Sequence, residues 1–143
     1  MEVLRPPGRG TPLSAPVVSW VVPFSTSAVR CARADVTVAL RRYGVPQNVV
    51  DDARIVVSEL LGNALRHARP IPGGGLVLTL EVQPDSLRLS VADGGSATLP
   101  TLLHPPDLAP SGRGLTIVRT LTREWGVRES ADGNTVFGVL AIT

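Results

Sequence analysis

The 143-residue chain has one cysteine, few aromatic residues and no long apolar run. Cys31 has no second cysteine to pair with, which excludes an internal disulfide, and the spacing of a zinc site is absent. We expect Cys31 to be a small buried residue on a helix. Apolar residues make up 43% of the chain but aromatic residues only 3%, so the core is predicted to be aliphatic.

No stretch reaches the roughly 18 apolar residues that would cross a membrane, and no signal-peptide core is present. The charges are balanced, with 14 basic and 12 acidic residues, and no basic run is interleaved with aromatics, which argues against direct nucleic-acid binding. These features favour a cytoplasmic protein. Residues 1–15, rich in Pro and Gly, are predicted to be a disordered lead-in, and residues 16–143 a single domain.

Hydrophobic periodicity predicts three helices and five strands after the lead-in. The helices are placed at about 25–43, 47–67 and 114–123, and the strands at 17–22, 76–82, 87–91, 125–130 and 135–142. Gly133-Asn134 is predicted to be the last turn, and residues 94–113 a long loop of the kind that often forms a lid. The order predicts an α/β (α+β) two-layer sandwich, in which one mixed sheet has the helices on one face.

The second predicted helix carries polar side chains beside its apolar face. Glu59, Asn63 and Arg66 lie on the flank of that face, and His67 follows one turn after Asn63. The apolar positions repeat at helical spacing: Val49, Ala53, Val56, Leu60 and Ala64. An unpaired buried amide or carboxylate costs a few kcal/mol, and a metal-bound polyphosphate would satisfy all four polar groups. The alternative is an ordinary helix edge of solvated charges with a structural histidine.

These residue types suit such a ligand. The amide oxygen of Asn63 is a hard neutral ligand for Mg²⁺. Glu59 can hold a metal-bound water or accept a proton from an attacking hydroxyl. Arg66 and His67 can face phosphate.

Two glycine segments follow. Asp93 ends a strand and precedes Gly94 and Gly95, so its carboxylate can accept a hydrogen bond from an exocyclic amine while the glycines let backbone approach a flat ring. The segment 111–115 (Ser-Gly-Arg-Gly-Leu) feeds a helix N-terminus, which presents free N–H groups to phosphate. Its spacing is neither that of a P-loop nor that of a dinucleotide-binding fold. Ordinary turns remain the alternative for each segment.

Taken in order, these segments resemble the boxes of the GHKL ATPase superfamily, which includes sensor histidine kinases, gyrase-type ATPases and Hsp90-type chaperones. Residues 59–68 (Glu-Leu-Leu-Gly-Asn-Ala-Leu-Arg-His-Ala) are similar to its N box. Residues 93–95 resemble the first glycine box and residues 112–115 the second. Residues 125–126 and 133–137 look like the closing hairpin of one branch, the small anti-sigma regulatory factors that are serine/threonine protein kinases.

The resemblance implies a Bergerat-type fold that binds ATP and Mg²⁺. It implies Glu59 as general base, Asn63 as Mg²⁺ ligand and Asp93 as the reader of adenine. The other implied nucleotide contacts are Arg66, His67, Gly95, Gly112, Arg113, Gly114, Leu115 and Thr135. The implied activity is phosphorylation of a Ser or Thr on an antagonist protein, combined with sequestration of a sigma factor. The related kinases often dimerise, so a homodimer is one expectation.

Three departures from the family pattern bear on that activity. Ala97 stands where the first glycine box has its last glycine, and Asn134 where the closing turn often has Lys. Four prolines lie in the predicted lid, at positions 100, 105, 106 and 110. A non-catalytic, ATP-dependent binding module is therefore the alternative function. A detached ATPase domain serving a histidine kinase is a third, although the chain has no dimerisation helix with a phosphoacceptor histidine.

Overall fold

The computed structural model describes residues 2–4, 16–95 and 113–142. The strands are β1 Glu2–Leu4, β2 Val17–Val22, β3 Leu76–Val82, β4 Ser86–Ala92, β5 Glu124–Ser130 and β6 Gly133–Ala141. The helices are α1 Ala28–Arg42, α2 Gln47–His67 and α3 Arg113–Leu121. The two-layer α+β sandwich is confirmed, as are the predicted bounds of β2, α2 and β3.

Local chemistry explains the bounds of α2. Pro46, with φ of −57°, precedes the helix and has the backbone angle that helix entry needs. The helix ends where Ala68 turns to an extended conformation, and its N–H still bonds to the carbonyl of Ala64. Every predicted member of the apolar arc, from Val49 to Ala64, is buried.

The sheet has six strands in the order β1-β2-β3-β4-β6-β5. Every pair of neighbouring strands in the described chain is antiparallel, so the prediction of a mixed sheet was wrong. The reason is topological. β4 and β5, which flank α3, run in the same direction, but β6 lies between them and separates what would have been a parallel pair. Two successive helices join β2 to β3 and return the chain antiparallel.

The first strand also differs from the sequence prediction. Glu2–Leu4 pairs with β2, with Glu2 opposite Trp20 and Leu4 opposite Val18. Disorder was therefore wrong for these three residues, because they satisfy the hydrogen-bonding edge that β2 would otherwise expose. The other residues of the predicted lead-in lie outside the described part of the chain.

The core lies between the sheet and the helices and is largely aliphatic, as predicted. Register aligns the helix-facing residues in rows across the sheet, one of which is Trp20, Leu78, Val91 and Val136. Cys31 does not join this core: it is exposed on α1, because it falls beside Ala32, whose small side chain takes the buried position. Among the described helices, none is both long and apolar enough to cross a membrane.

Helix α3 packs against α2 above β6. Val118 is fully buried and lies over Gly138, where a β-carbon would be 3.7 Å from both Val118 and Val56 but only 3.0 Å from Thr122. Since β4 and β5 run in the same direction, the intervening α3 must run the opposite way. This places the start of α3 toward the end of the molecule where β4 ends.

Candidate functional site

Three segments that are distant in sequence meet at one edge of the sheet. Gly94 N donates to the carbonyl of Arg69 at 2.7 Å, and Arg69 N donates to the carbonyl of Gly95 at 2.9 Å, so the chain after α2 is tied to the chain after β4. Asp93 N donates to the carbonyl of Asn134 at 2.8 Å, which adds the start of β6. The described chain buries six polar side chains, and Asn63, Asp93 and Asn134 belong to this edge. The chain that follows α2 and the chain that follows β4 therefore lie side by side, and the prediction that α2 and Asp93 contribute to one site stays a prediction.

The start of α3 reaches the same end of the molecule. Arg113 lies five residues before Val118, or about 7.5 Å along the helix. Val118 shares the Gly138 contact with Val56, and α2 and α3 run in opposite directions. Arg113 and Gly114 are thereby brought level with the turn of α2 that carries Asn63. Gly112 lies outside the described residues, and for Arg113, Gly114 and Leu115 only the helical backbone is described.

Asn63 is buried, with 3% of its surface exposed. Its Oδ1 accepts a hydrogen bond from Arg66 Nη2 at 3.2 Å, whereas its Nδ2 is buried without a partner in the described protein. Gly62 gives the Arg66 side chain room, since a β-carbon there would lie 3.3 Å from Nη1. A buried amide with an unmet donor is unusual in proteins, and this Nδ2 can donate a hydrogen bond to a group outside the described protein.

Arg66 and His67 end α2 beside Asn63. Arg66 is exposed and His67 is half-buried. Burial lowers the pKa of the His67 imidazole, and the positive charge of Arg66 lowers this pKa further. The imidazole is therefore neutral near pH 7, where it can donate or accept one hydrogen bond through each nitrogen.

Glu59 lies one turn before Asn63 and is half-exposed. Its side chain lines a cleft of about 370 Å³ on the outer side of α1 and α2. Arg33 Nη1 spans the two helices there with a long bond of 3.4 Å to Ser58 Oγ. The remaining lining residues are Asp51, Arg54 and Ile55. The Glu59 carboxylate is thus accessible from outside the molecule.

Asp93 follows β4 and is 5% exposed. Its Oδ1 accepts hydrogen bonds from Gly95 N at 2.7 Å and Asn134 N at 3.3 Å. Burial raises the pKa of the Asp93 carboxyl, and these two backbone bonds oppose that rise because they stabilise the charged form. Thr135 pairs with Ala92, the residue before Asp93, in the register between β4 and β6. The arrangement fixes one carboxylate oxygen and leaves the other available to a ligand.

Comparison with known proteins places this arrangement in a family. The family model of the histidine kinase-like ATPase domain matches residues 22–137. The chain belongs to the histidine kinase-like ATPase domain family. No curated protein matches the chain. Membership of the family supports ATP as the ligand of the site.

One similar solved structure contains the RsbU and RsbW domains of Rv1364c from Mycobacterium tuberculosis. It superposes with a TM-score of 0.66 at 22% identity, over 88% of this chain and 33% of that chain. At this identity the likeness concerns the fold. The present chain spans about a third of the length of that protein.

The residues present fit a magnesium-bound nucleotide. Within the described ranges, no group of three or more His, Cys, Asp or Glu side chains could hold a metal ion by itself. A metal on Asn63 would therefore take most of its ligands from phosphate and water, which is the usual arrangement for Mg²⁺ in nucleotide sites. The Asn63 Oδ1 that meets Arg66 has a second lone pair for such a role, and its unpartnered Nδ2 supplies a donor.

Sequence reasoning missed two parts of this site. The predicted turn at Gly133-Asn134 was wrong. Ala131 and Asp132 form the turn, and Gly133 is already the first residue of β6, where it pairs with Ser130 at the end of β5. The backbone of Arg69 and Pro70, just after α2, was also not anticipated as a support for Asp93. The local sequence feature that could have indicated the contact of Gly133 with Asp93 is the pair Gly133-Asn134. A hairpin turn explains that pair equally well.

Proposed function

We propose that this domain binds Mg-ATP at the Asn63–Asp93 edge and transfers the γ-phosphate to a serine or threonine hydroxyl of a protein partner. The observation that carries the proposal is the buried Asn63 amide with its unpartnered Nδ2. It lies one turn after the accessible carboxylate of Glu59, on the helix after which Arg69 bonds to the chain that follows Asp93. Family membership supports the choice of nucleotide, and the local geometry supports the proposed roles of these residues.

Each end of the nucleotide has its own group of residues. Asp93 accepts a hydrogen bond from the adenine amine, supported by Thr135 and by the backbone at Gly95. Asn63 holds Mg²⁺, which when bound neutralises charge on the phosphates. Phosphate oxygens accept hydrogen bonds from the N–H groups at the start of α3, where the proposed contacts are Gly112, Arg113, Gly114 and Leu115. Phosphate also contacts Arg66 and His67 at the end of α2.

Transfer requires a base and a fixed geometry more than covalent chemistry. The incoming hydroxyl oxygen forms a bond to the γ-phosphorus while the bond from that phosphorus to the bridging oxygen of ADP breaks. Glu59 accepts the hydroxyl proton as this occurs. The partner reaches Glu59 through the cleft between α1 and α2, which Arg33, Arg54 and Asp51 also line.

The biological role that we propose is that of an anti-sigma regulator. Its partners would be a sigma factor, which it sequesters, and an antagonist protein, which it phosphorylates. Support comes from family membership and from the fold that the domain shares with a structure containing an RsbW domain. A cytoplasmic location and a homodimer belong to the same proposal.

Calorimetry with ATP and ADP, with and without Mg²⁺, tests the binding site. We expect Mg²⁺-dependent binding in the wild type and its loss in Asn63→Ala. Asn48→Ala is a matched control, because Asn48 is an exposed residue at the opposite end of the same helix. Equal binding by Asn63→Ala and wild type would contradict the proposed site.

Phosphotransfer is a separate question, because Ala97 and the prolines of the segment 94–113 also suit a binding module without chemistry. Incubation with labelled ATP and candidate antagonist proteins distinguishes the two. Transfer that depends on Glu59 supports the kinase. Partner control that survives unchanged in Glu59→Ala supports the non-catalytic module.

A further inference from the structure

The backbone of Asp93 is held between two neighbouring segments with no space to spare. We propose that Gly133 is a positioning residue, which sets the place of the Asp93 carboxylate and thereby the preference for a purine with a 6-amino group. This inference rests on the proposed nucleotide site. It adds to that site a residue that makes no contact with the nucleotide itself.

We call the two segments that hold Asp93 the clamp: Gly133 and Asn134 on the β6 side, and Arg69 and Pro70 on the α2 side. Asn134 exchanges two hydrogen bonds with Asp93: its carbonyl accepts from Asp93 N at 2.8 Å, and its N–H donates to Oδ1 at 3.3 Å. Gly133 has a φ of +148°, which favours glycine. A β-carbon there would overlap the Asp93 carbonyl oxygen and lie 3.2 Å from the carbonyl carbon of Gly94. Because these atoms are backbone, no side-chain rotation could relieve the overlap.

On its other side, the backbone next to Asp93 is held by the residues that follow α2, so Asp93 cannot move away from β6. The chain after α2 bonds to Gly94 and Gly95 through Arg69, at 2.7 and 2.9 Å. A β-carbon on Gly94 would overlap the carbonyl oxygen of Pro70 and lie 3.3 Å from that of Arg69. If a side chain at position 133 pushed Asp93 away, the displaced loop would meet Pro70. The carboxylate must then turn, or the bonds on one side must break.

The consequence concerns one oxygen atom. Gly95 N and Asn134 N occupy Oδ1, and within the described chain no donor bonds to Oδ2. Oδ2 is therefore the acceptor that faces an exocyclic amine. A hydrogen bond weakens steeply when distance and angle are lost, so a shift of Asp93 removes the amine contact while the phosphate contacts of α2 and α3 remain.

The test compares Gly133→Ala with Gly44→Ala. Gly44 also has a positive φ, +75°, but a β-carbon there meets nothing within 4 Å, so Gly44→Ala places an alanine at a positive φ without the overlap. The two probes are ATP and purine riboside triphosphate, which has hydrogen in place of the 6-amino group. Calorimetry gives the affinity ratio between them, a quantity that a general loss of stability would not change.

We expect the wild type and Gly44→Ala to prefer ATP by about tenfold or more, the size of one charge-assisted hydrogen bond. Gly133→Ala is expected to lose most of this preference, with a fall in ATP affinity and little change for the analogue. A folded Gly133→Ala that keeps the wild-type ratio would overturn the inference while leaving the nucleotide site intact. Failure of the wild type to bind either nucleotide would overturn the proposed function instead.

If Gly133→Ala does not fold, an NMR titration of the wild-type protein tests the inference instead. The clamp predicts that the amide proton shifts of Gly95 and Asn134 both follow the titration of the Asp93 carboxyl, measured by NMR, since both amides donate to its Oδ1. An Asn134 amide that does not respond to this titration would show that Asp93 is not held from the β6 side, and the inference would fail.

Discussion

Arg66 Nη2 donates to Oδ1 of Asn63 at 3.2 Å, one turn along the same helix. This bond satisfies the acceptor of a buried amide but not its donor, since Nδ2 has no partner in the described chain. In the proposed complex, a bound nucleotide and metal would supply the partner that this donor lacks. Binding and stability of the free protein would then favour different side chains at this position.

Replacing Asn63 with leucine is expected to separate these two effects. The substitution removes a buried donor whose unmet hydrogen bond costs about 1–3 kcal/mol, and leucine has a similar shape. In urea unfolding without nucleotide, we expect the free energy of unfolding to stay level or rise by about 1 kcal/mol, while Mg-ATP binding is lost. Leu61→Ala, a fully buried neighbour, should instead lower it by about 2–5 kcal/mol. A comparable loss in Asn63→Leu would show that the amide stabilises the free protein.

Glu59→Gln is expected to act on chemistry alone. The amide keeps the size of the side chain but cannot accept the hydroxyl proton, so phosphotransfer should fall by about 10²–10⁴-fold while the affinity for ATP stays within about twofold. Single-turnover transfer and calorimetry on the same preparations measure the two quantities. Glu129→Gln is the control, because Glu129 is exposed on β5 and should change neither. Full transfer by Glu59→Gln would exclude Glu59 as the base.

Much of this architecture was predictable from local sequence, and the reasons are local. Pro46 and the apolar repeat from Val49 to Ala64 define α2, and the same repeat places Asn63 at the border of the core. Alternation of apolar residues likewise predicted the strands. Each of these signals lies within a single element, where propensity and periodicity apply directly.

The parts that escaped prediction depend on contacts between distant residues. Nothing near Gly133 reveals that Asp93 will lie against it, 40 positions away, so a turn was the reasonable local interpretation. The antiparallel sheet depends in the same way on β6 entering between β4 and β5, which no single segment encodes. The contact between Gly133 and Asp93 and the antiparallel order of the strands both depend on which strands pair. A hydrophobic pattern does not specify that pairing.

The adenine preference should depend on pH through Asp93. Burial raises the pKa of this carboxyl above its ordinary value, and only the ionised form has a free acceptor oxygen at Oδ2. As the pH falls, protonation should begin at a higher pH than for an exposed aspartate, and the ATP preference should decline with it. The ratio of affinities for ATP and purine riboside triphosphate cancels the titration of the phosphates, which both ligands share. A ratio that is constant from neutral pH to pH 4 would contradict the proposed role of Asp93.

His67 should make the folding stability fall as the pH is lowered. Burial, and then the charge of Arg66, lowers the pKa of its imidazole below the ordinary value of 6.5. Between the folded and unfolded pKa values the unfolded chain binds more protons, so the stabilisation is complete above about pH 6.5 and is lost as the pH falls through the folded pKa. Urea unfolding at pH 7.5 and 5.5 should show a smaller pH-dependent loss in His67→Gln than in the wild type. Because Asp93 is present in both proteins, its own titration cancels in this comparison, and equal losses would mean that His67 is not held in its neutral form.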